Sequence, residues 1–171
     1  MIALMDDGIG NLRSMQQALE HVGTEVTRTS NPEVIVAADK VVLPGVSALG
    51  DGMKGMKARD LINPVKAVMR VGTPLLGICV GMQWFCEESE EHGHHARLGI
   101  VSGRVKRVEP DPEQKTLKVP QTGWNEIKVQ TPSPLFHDLP QAAMAMRSAL
   151  PNKGMQATAD SVRCAPASRR A

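Results

Sequence analysis

The pentad Gly77-Ile78-Cys79-Val80-Gly81 sets a thiol between two glycines, directly after the apolar run Pro74-Leu75-Leu76 and ahead of a stretch with helical character. A chain that turns sharply from a strand into a helix strains the corner residue and presents its side chain. Glycines on either flank leave room for neighbouring backbone and for a substrate. A cysteine at such a corner is a candidate nucleophile, and the N–H of the next residue, Val80, points to where an oxyanion would form. A cysteine between glycines also suits the core of a parallel sheet, where a thiol packs as a small apolar group.

A second segment favours chemistry over packing. Pro44-Gly45-Val46-Ser47-Ala48-Leu49-Gly50-Asp51 follows the apolar strand Lys40–Leu43 and would emerge at the same sheet edge as Cys79. Open α/β sheets bind ligands at that edge. Asp7-Gly8-Ile9-Gly10-Asn11-Leu12 lies upstream and Lys118-Val119-Pro120-Gln121-Thr122-Gly123-Trp124-Asn125 downstream. The four motifs, in this order, resemble the class I glutamine amidotransferases, and among them the glutaminase subunits of imidazole glycerol phosphate synthase. The resemblance covers residues 1 to about 140.

The resemblance implies a flavodoxin-like α/β fold with a mostly parallel sheet, flanking helices and an incomplete C-terminal part. It implies that Cys79 attacks the side-chain amide of glutamine. Backbone of Gly45, Val46, Ser47 and Val80 would stabilise the oxyanion, and Gln83, one turn after Cys79, would contact the substrate. Ser47 stands where the family keeps a glycine, so its Cβ restricts a peptide reorientation. Ammonia would pass to a β/α-barrel cyclase subunit, on the route to histidine. Gly8, Gly10, Asn11, Gly123, Trp124 and Asn125 would lie at that partner interface. Asp6 replaces an aromatic residue usual in the family. No cofactor or metal is implied.

A thiolate hydrolase also needs a general base held by a carboxylate. The family carries both in one H-x-E segment, and this sequence has none: its histidines are His21, His92, His94, His95 and His137. Similarity fades around Ser133–Pro140, and Gln141-Ala142-Ala143-Met144-Ala145-Met146 stands where strand-forming, aromatic-rich sequence belongs. The expected organisation is an incomplete amidotransferase-like domain over 1–140 and an unrelated, disordered basic tail over 141–171. An isolated chain of this kind is expected to be inactive. The alternatives are a non-catalytic module that binds the cyclase, or a relic without function.

The elements that must position these residues follow from periodicity. Alternating β and α units are read as strand Ile2–Met5, helix Asn11–Val22, strand Glu25–Thr29, helix Pro32–Ala37 and strand Lys40–Leu43. Leu12, Met15, Leu19 and Val22 make one apolar helix face, with Asn11 as N-cap. A helical Asp60–Val71 region interrupted or restarted at Pro64, strand Pro74–Ile78 and helix Met82–Ser89 continue the pattern. From Gly103 onward, the pairs Val105 and Val108, Leu117 and Val119, and Ile127 and Val129 suggest antiparallel strands.

Composition fits one globular domain: 171 residues, 42% hydrophobic and 22% charged. No apolar stretch approaches the roughly 20 residues that span a bilayer, and Asp6 and Asp7 interrupt the N-terminus too early for a signal peptide, so the cytoplasm is expected. Cys79, Cys86 and Cys164 form no disulfide framework. Net charge is +2, with Lys153, Arg163, Arg169 and Arg170 against Asp160 at the C-terminal end. Stacking on nucleic acid needs rings, and no aromatic follows Phe136. Cys86, His92, His94 and His95 match no strong zinc spacing and read as an acidic, solvated loop. Gly8-Ile9-Gly10 lacks the third glycine of a dinucleotide loop, because Arg13 occupies its place.

Overall fold

The structure, a computed structural model, describes residues 1–8, 11–45, 49–89, 95–105, 121–127, 136–137 and 143–149. These fall into two compact units, a first over residues 1–104 and a second within 105–163.

Four parallel strands form the first unit's main sheet: β1 Ile2–Met5, β2 Val26–Thr29, β3 Lys40–Leu43 and β4 Leu75–Gly77. Their order is β2-β1-β3-β4, so the direction of winding reverses at β1. Right-handed crossovers then put α1 Leu12–His21 on one face, and α2 Pro32–Ala37, α3 Leu49–Ala58 and α4 Ile62–Arg70 on the other. Ligands of such sheets sit at the crevice where the order reverses, outside the C-terminal ends of β1 and β3.

Strand alternation feeds both faces. Leu4 lies opposite Val42 in register, and with Leu12 the two form a buried cluster. Ile2, Met15, Leu19, Val26 and Ile78 pack around it. Ala3 and Val41, also in register, point the other way and are buried too. That side of the molecule carries Ile35 of α2 and Val65 and Val68 of α4, all at 0% exposure.

Local signals account for the helix ends. The Asn11 side chain accepts from the Ser14 N–H at 3.3 Å, capping α1 as expected. Val22 closes the helix rather than extending its apolar face, and is exposed. Asn31 accepts from the Glu33 N–H at 2.9 Å and Pro32 opens α2, where a missing N–H is harmless. Pro64 sits in the first turn of α4 for the same reason, so the helix runs through it unbroken.

Two elements differ from the sequence reading. Helix α3 was not anticipated, because Gly50, Gly52 and Gly55 weaken its helical signal. Two of these glycines answer to close contacts: a Cβ at Gly55 would meet the Asp7 carbonyl oxygen at 2.6 Å, and one at Gly52 would enter the Trp84 ring. The helix expected over Met82–Ser89 is instead the single turn α5 Val80–Gln83, and Glu88–Ser89 is a strand, β5. Tertiary hydrogen bonds end it. The carbonyls of Trp84, Phe85, Cys86 and Glu87 accept from Leu98, Ile100 and Val101, Gly99 and Arg97, at 2.7–3.0 Å. With β6 His95–Ala96 and β7 Arg104–Val105, β5 makes a three-stranded sheet of order β6-β5-β7. The β5–β6 pairing is antiparallel.

The second unit contains an antiparallel pair, β8 Gln121–Ile127 and β9 Ala143–Ala149, in register from Gln121 opposite Ala149 to Ile127 opposite Ala143. Strand β9 lies beyond residue 140, where the sequence reading ended the domain. Alanine and methionine are weak strand formers by composition, and pairing to β8 overrides that preference. The strand suggested around Leu117 and Val119, and residues 150–171, lie outside the described residues.

Candidate active site

Cys79 stands at the exit of β4 with φ 57° and ψ −117°. Among the described residues only Asp60, at φ 52°, shares a positive φ with a side chain. Asp60 is a short polar residue at a helix end, a place that tolerates it. A cysteine in this conformation costs on the order of 1–3 kcal/mol, and persists only where the surroundings over-determine it.

The surroundings do so through glycines. A Cβ at Gly81 would run into the Leu43 carbonyl, and one at Gly77 would meet Phe85 at 2.6 Å and the Met82 backbone at 2.7 Å. A Cβ at Gly45 would fall 2.5 Å from the Gly81 nitrogen and 2.9 Å from the Val80 Cβ. The turn after β3 and the turn after β4 are therefore in backbone contact. Ile78 N–H donates to the Leu43 carbonyl at 3.0 Å, tying the two strand exits together.

Inside the elbow, the Ile78 carbonyl accepts from Gly81 at 3.0 Å and the Cys79 carbonyl from Met82 at 3.1 Å and Gln83 at 3.3 Å. The Val80 N–H donates to no acceptor among the described residues. It adjoins the exposed thiol of Cys79. Gln83 lies one turn on, half-buried.

A cavity of about 250 Å³ opens beside Cys79. It is lined by Asn11, Ser14, Met15 and Ala18 of the α1 side, and by Pro44, Gly45, Ile78 and Cys79. The structure thus brings together Cys79, Gly45 and Asn11 at the crevice where strand order reverses. Val46, Ser47 and Gly10 lie outside the described residues. Gly8 occupies the loop after β1 at φ 84°, its backbone crossed by the Arg59 guanidinium. Gly123, Trp124 and Asn125 lie on β8 in the second unit, with Trp124 64% exposed.

Among the described residues, no histidine lines the cavity. His21 ends α1 and is not among the residues that line the cavity. His92 and His94 lie outside the described residues, and among those described no group of histidine, cysteine and carboxylate residues could hold a metal.

Charges flank the loop after β1. Burial alone would raise the Asp6 carboxyl, but the Gly8 N–H at 2.9 Å and Arg28 at 2.8 Å outweigh it and hold the group below its ordinary value. Burial pushes the Cys86 thiol up, consistent with a packing role. Two contributors escaped sequence reasoning. Arg59 gave no signal, whereas Trp84, five residues past the nucleophile, is one of two adjacent aromatics, Trp84 and Phe85, directly after the elbow.

A strained cysteine after a parallel strand, glycine-locked against a second strand exit, defines the class of site. The chain belongs to the class-I glutamine amidotransferase family, whose model matches residues 3–149. The relatives are more particular. The chain is 45% identical over 141 residues to the imidazole glycerol phosphate synthase subunit HisH of Syntrophotalea carbinolica, covering 81% of this chain and 68% of that protein. The HisH subunits of Dehalococcoides mccartyi and Chloroflexus aurantiacus are each 44% identical, over 82% and 84% of this chain. The chain spans 66% and 67% of their lengths, about two thirds. A solved structure, described as a crystal structure of glutamine amidotransferase, superposes with a TM-score of 0.64 at 16% identity, over 85% of this chain and 69% of that one. That likeness speaks to the fold. No described helix is long and apolar enough to cross a membrane.

Proposed function

We propose that this chain is a glutaminase subunit of imidazole glycerol phosphate synthase, with Cys79 as nucleophile. The observation that carries the reading is the backbone of Cys79 at φ 57°, held by Gly77, Gly81 and Gly45 in a conformation that packing alone would not require. The thiolate adds to the side-chain amide carbon of glutamine. N–H groups of Val80 and of the Gly45-Val46-Ser47 segment stabilise the oxyanion, and Gln83 contacts the substrate. Ammonia leaves, and water hydrolyses the glutamyl thioester to glutamate. The ammonia serves a β/α-barrel cyclase docked over the loop of Gly8, Gly10 and Asn11 and over Gly123, Trp124 and Asn125.

The chain itself supplies no H-x-E segment. Loss of the base in a comparable triad costs several powers of ten, up to about 10⁶ in rate. Turnover by the isolated chain is accordingly negligible, and this favours a second reading in which the chain binds the cyclase while Cys79 stays idle.

The test is glutamate release from glutamine, with and without the cyclase and its nucleotide ligand, against Cys79→Ala. Release that disappears in the variant supports catalysis and requires a base supplied by another chain. Rates equal to the variant under every condition leave the binding reading and remove the catalytic one.

A further inference from the structure

Close backbone contacts at Gly77, Gly81 and Gly45 hold the strained Cys79, and a large side chain, Trp84, packs at the end of the same elbow. Trp84 ends the elbow helix and is fully buried, its N–H donating to the Val80 carbonyl at 3.1 Å and its carbonyl accepting from Leu98 at 3.0 Å. Both ends of its backbone are therefore fixed to the elbow and to the segment that crosses it. Its indole reaches away to α3. There a Cβ at Gly52 would sit within the ring, 2.8 Å from Cη2 and 3.0 Å from Cε2. The indole Nε1 is buried and has no hydrogen-bond partner among the described residues.

Helix α3 carries the chain away from Pro44–Gly45, the backbone that touches Val80 and Gly81. The chain after β3 thus meets the elbow twice, at Gly45 of the turn and at Gly52 of α3 against the indole. We propose that Trp84 is a positioning residue for the Cys79 site: its indole, seated on Gly52 of α3, fixes the spacing between the elbow and the Pro44–Gly45 backbone. This rests on the glutamine reading given above and identifies what holds that site in register. A methyl group at position 52 pushes α3 off the indole, and a smaller side chain at 84 takes the methyl in.

The experiment uses Gly52→Ala, Trp84→Leu and the double variant in the full chain. One readout is the rate of Cys79 alkylation by a glutamine-shaped electrophile, 6-diazo-5-oxo-L-norleucine, divided by the rate with iodoacetamide. The ratio cancels simple access to the thiol. The other is amide hydrogen exchange across Cys79–Gln83, which needs no substrate. Gly52→Ala is expected to lower the ratio on the order of tenfold and to speed exchange by a similar factor, because strain is held only by over-determining contacts. The double variant is expected to return both to within roughly threefold of the parent, as coupled neighbours do. Trp84→Leu alone, which empties the contact with Gly52, is expected to shift both readouts in the same direction as Gly52→Ala; parental ratio and exchange in either single variant, or a double variant no better than Gly52→Ala, overturns the proposal. Should Gly52→Ala fail to fold, a folded double variant supports the brace and an unfolded one overturns it. A parent chain that shows no preference for the glutamine-shaped reagent sinks the glutamine reading alone, and hydrogen exchange then decides the brace.

Discussion

At Cys79 a side chain with a β-carbon occupies φ 57°, and three glycines nearby make that possible by contact rather than by flexibility. Their costs can be separated from ordinary glycine effects. Gly72 also has a positive φ, 80°, but a Cβ there meets nothing within 4 Å. Gly72→Ala should therefore destabilise by about 1 kcal/mol, the strain of a left-handed alanine. Gly81→Ala should lose about 3 kcal/mol or more, because its methyl meets the Leu43 carbonyl and backbone cannot step aside. Urea unfolding of both variants checks this, and equal losses would contradict the contact account. Asp6 supports a pH-dependent prediction. Its folded pKa is depressed, so its contribution is present above the unfolded value near 3.9 and fades as pH falls through the folded one. Asp6→Asn should lower Tm at pH 7, with the gap closing below about pH 4. The effect is small, about 1 kcal/mol or less, since Arg28 is 49% exposed.

Among the elements, β3 and β4 carry Pro44–Gly45 and Cys79 at their exits, and β1 between β2 and β3 supplies the core beneath them. Leu4 on β1 is fully buried, opposite Val42 and beneath Leu12 of α1. Leu4→Ala should destabilise the first unit by about 2–5 kcal/mol, the usual cost of an emptied aliphatic core site. Because the cluster includes Ile78 and Met15, which also line the cavity, the variant should weaken Cys79 alkylation by the glutamine-shaped electrophile as well. A Leu4→Ala chain with parental urea midpoint would remove the cluster from the account. Much of this level was legible beforehand: Ile2–Met5, Pro32–Ala37 and Lys40–Leu43 are found with the expected ends. Period-two apolar runs bounded by caps and turns carry that information locally. Helix α3 was not legible because its glycines answer to Asp7 and Trp84, which are distant in sequence.

For the whole molecule the decisive comparison is binding against turnover. If the chain carries the nucleophile and partner surface but no base, it should co-migrate with a β/α-barrel cyclase in size-exclusion chromatography while glutamate release stays at the Cys79→Ala level. Trp124→Ala, which removes a 64% exposed ring, should weaken that association by about tenfold or more if the ring is a buried anchor of the complex. Unchanged affinity would take Trp124 out of the interface.

The alternation of strands and helices, the cap at Asn11, the glycine-flanked cysteine and the order of the motifs were all legible in the chain before folding. Each of these is written within a few residues, where capping, periodicity and backbone sterics act. The missing H-x-E is legible there too, as a matter of composition. That the elbow helix stops at Gln83, that β9 forms beyond residue 140, that Gly45 touches Gly81 and that Gly52 receives the Trp84 indole came from packing in three dimensions. Those outcomes depend on partners tens of residues away. A carbonyl taken by Leu98, a strand paired with β8 or a ring filling the space above a glycine overrides local preference, because an unmade hydrogen bond or a void costs more than a weak propensity.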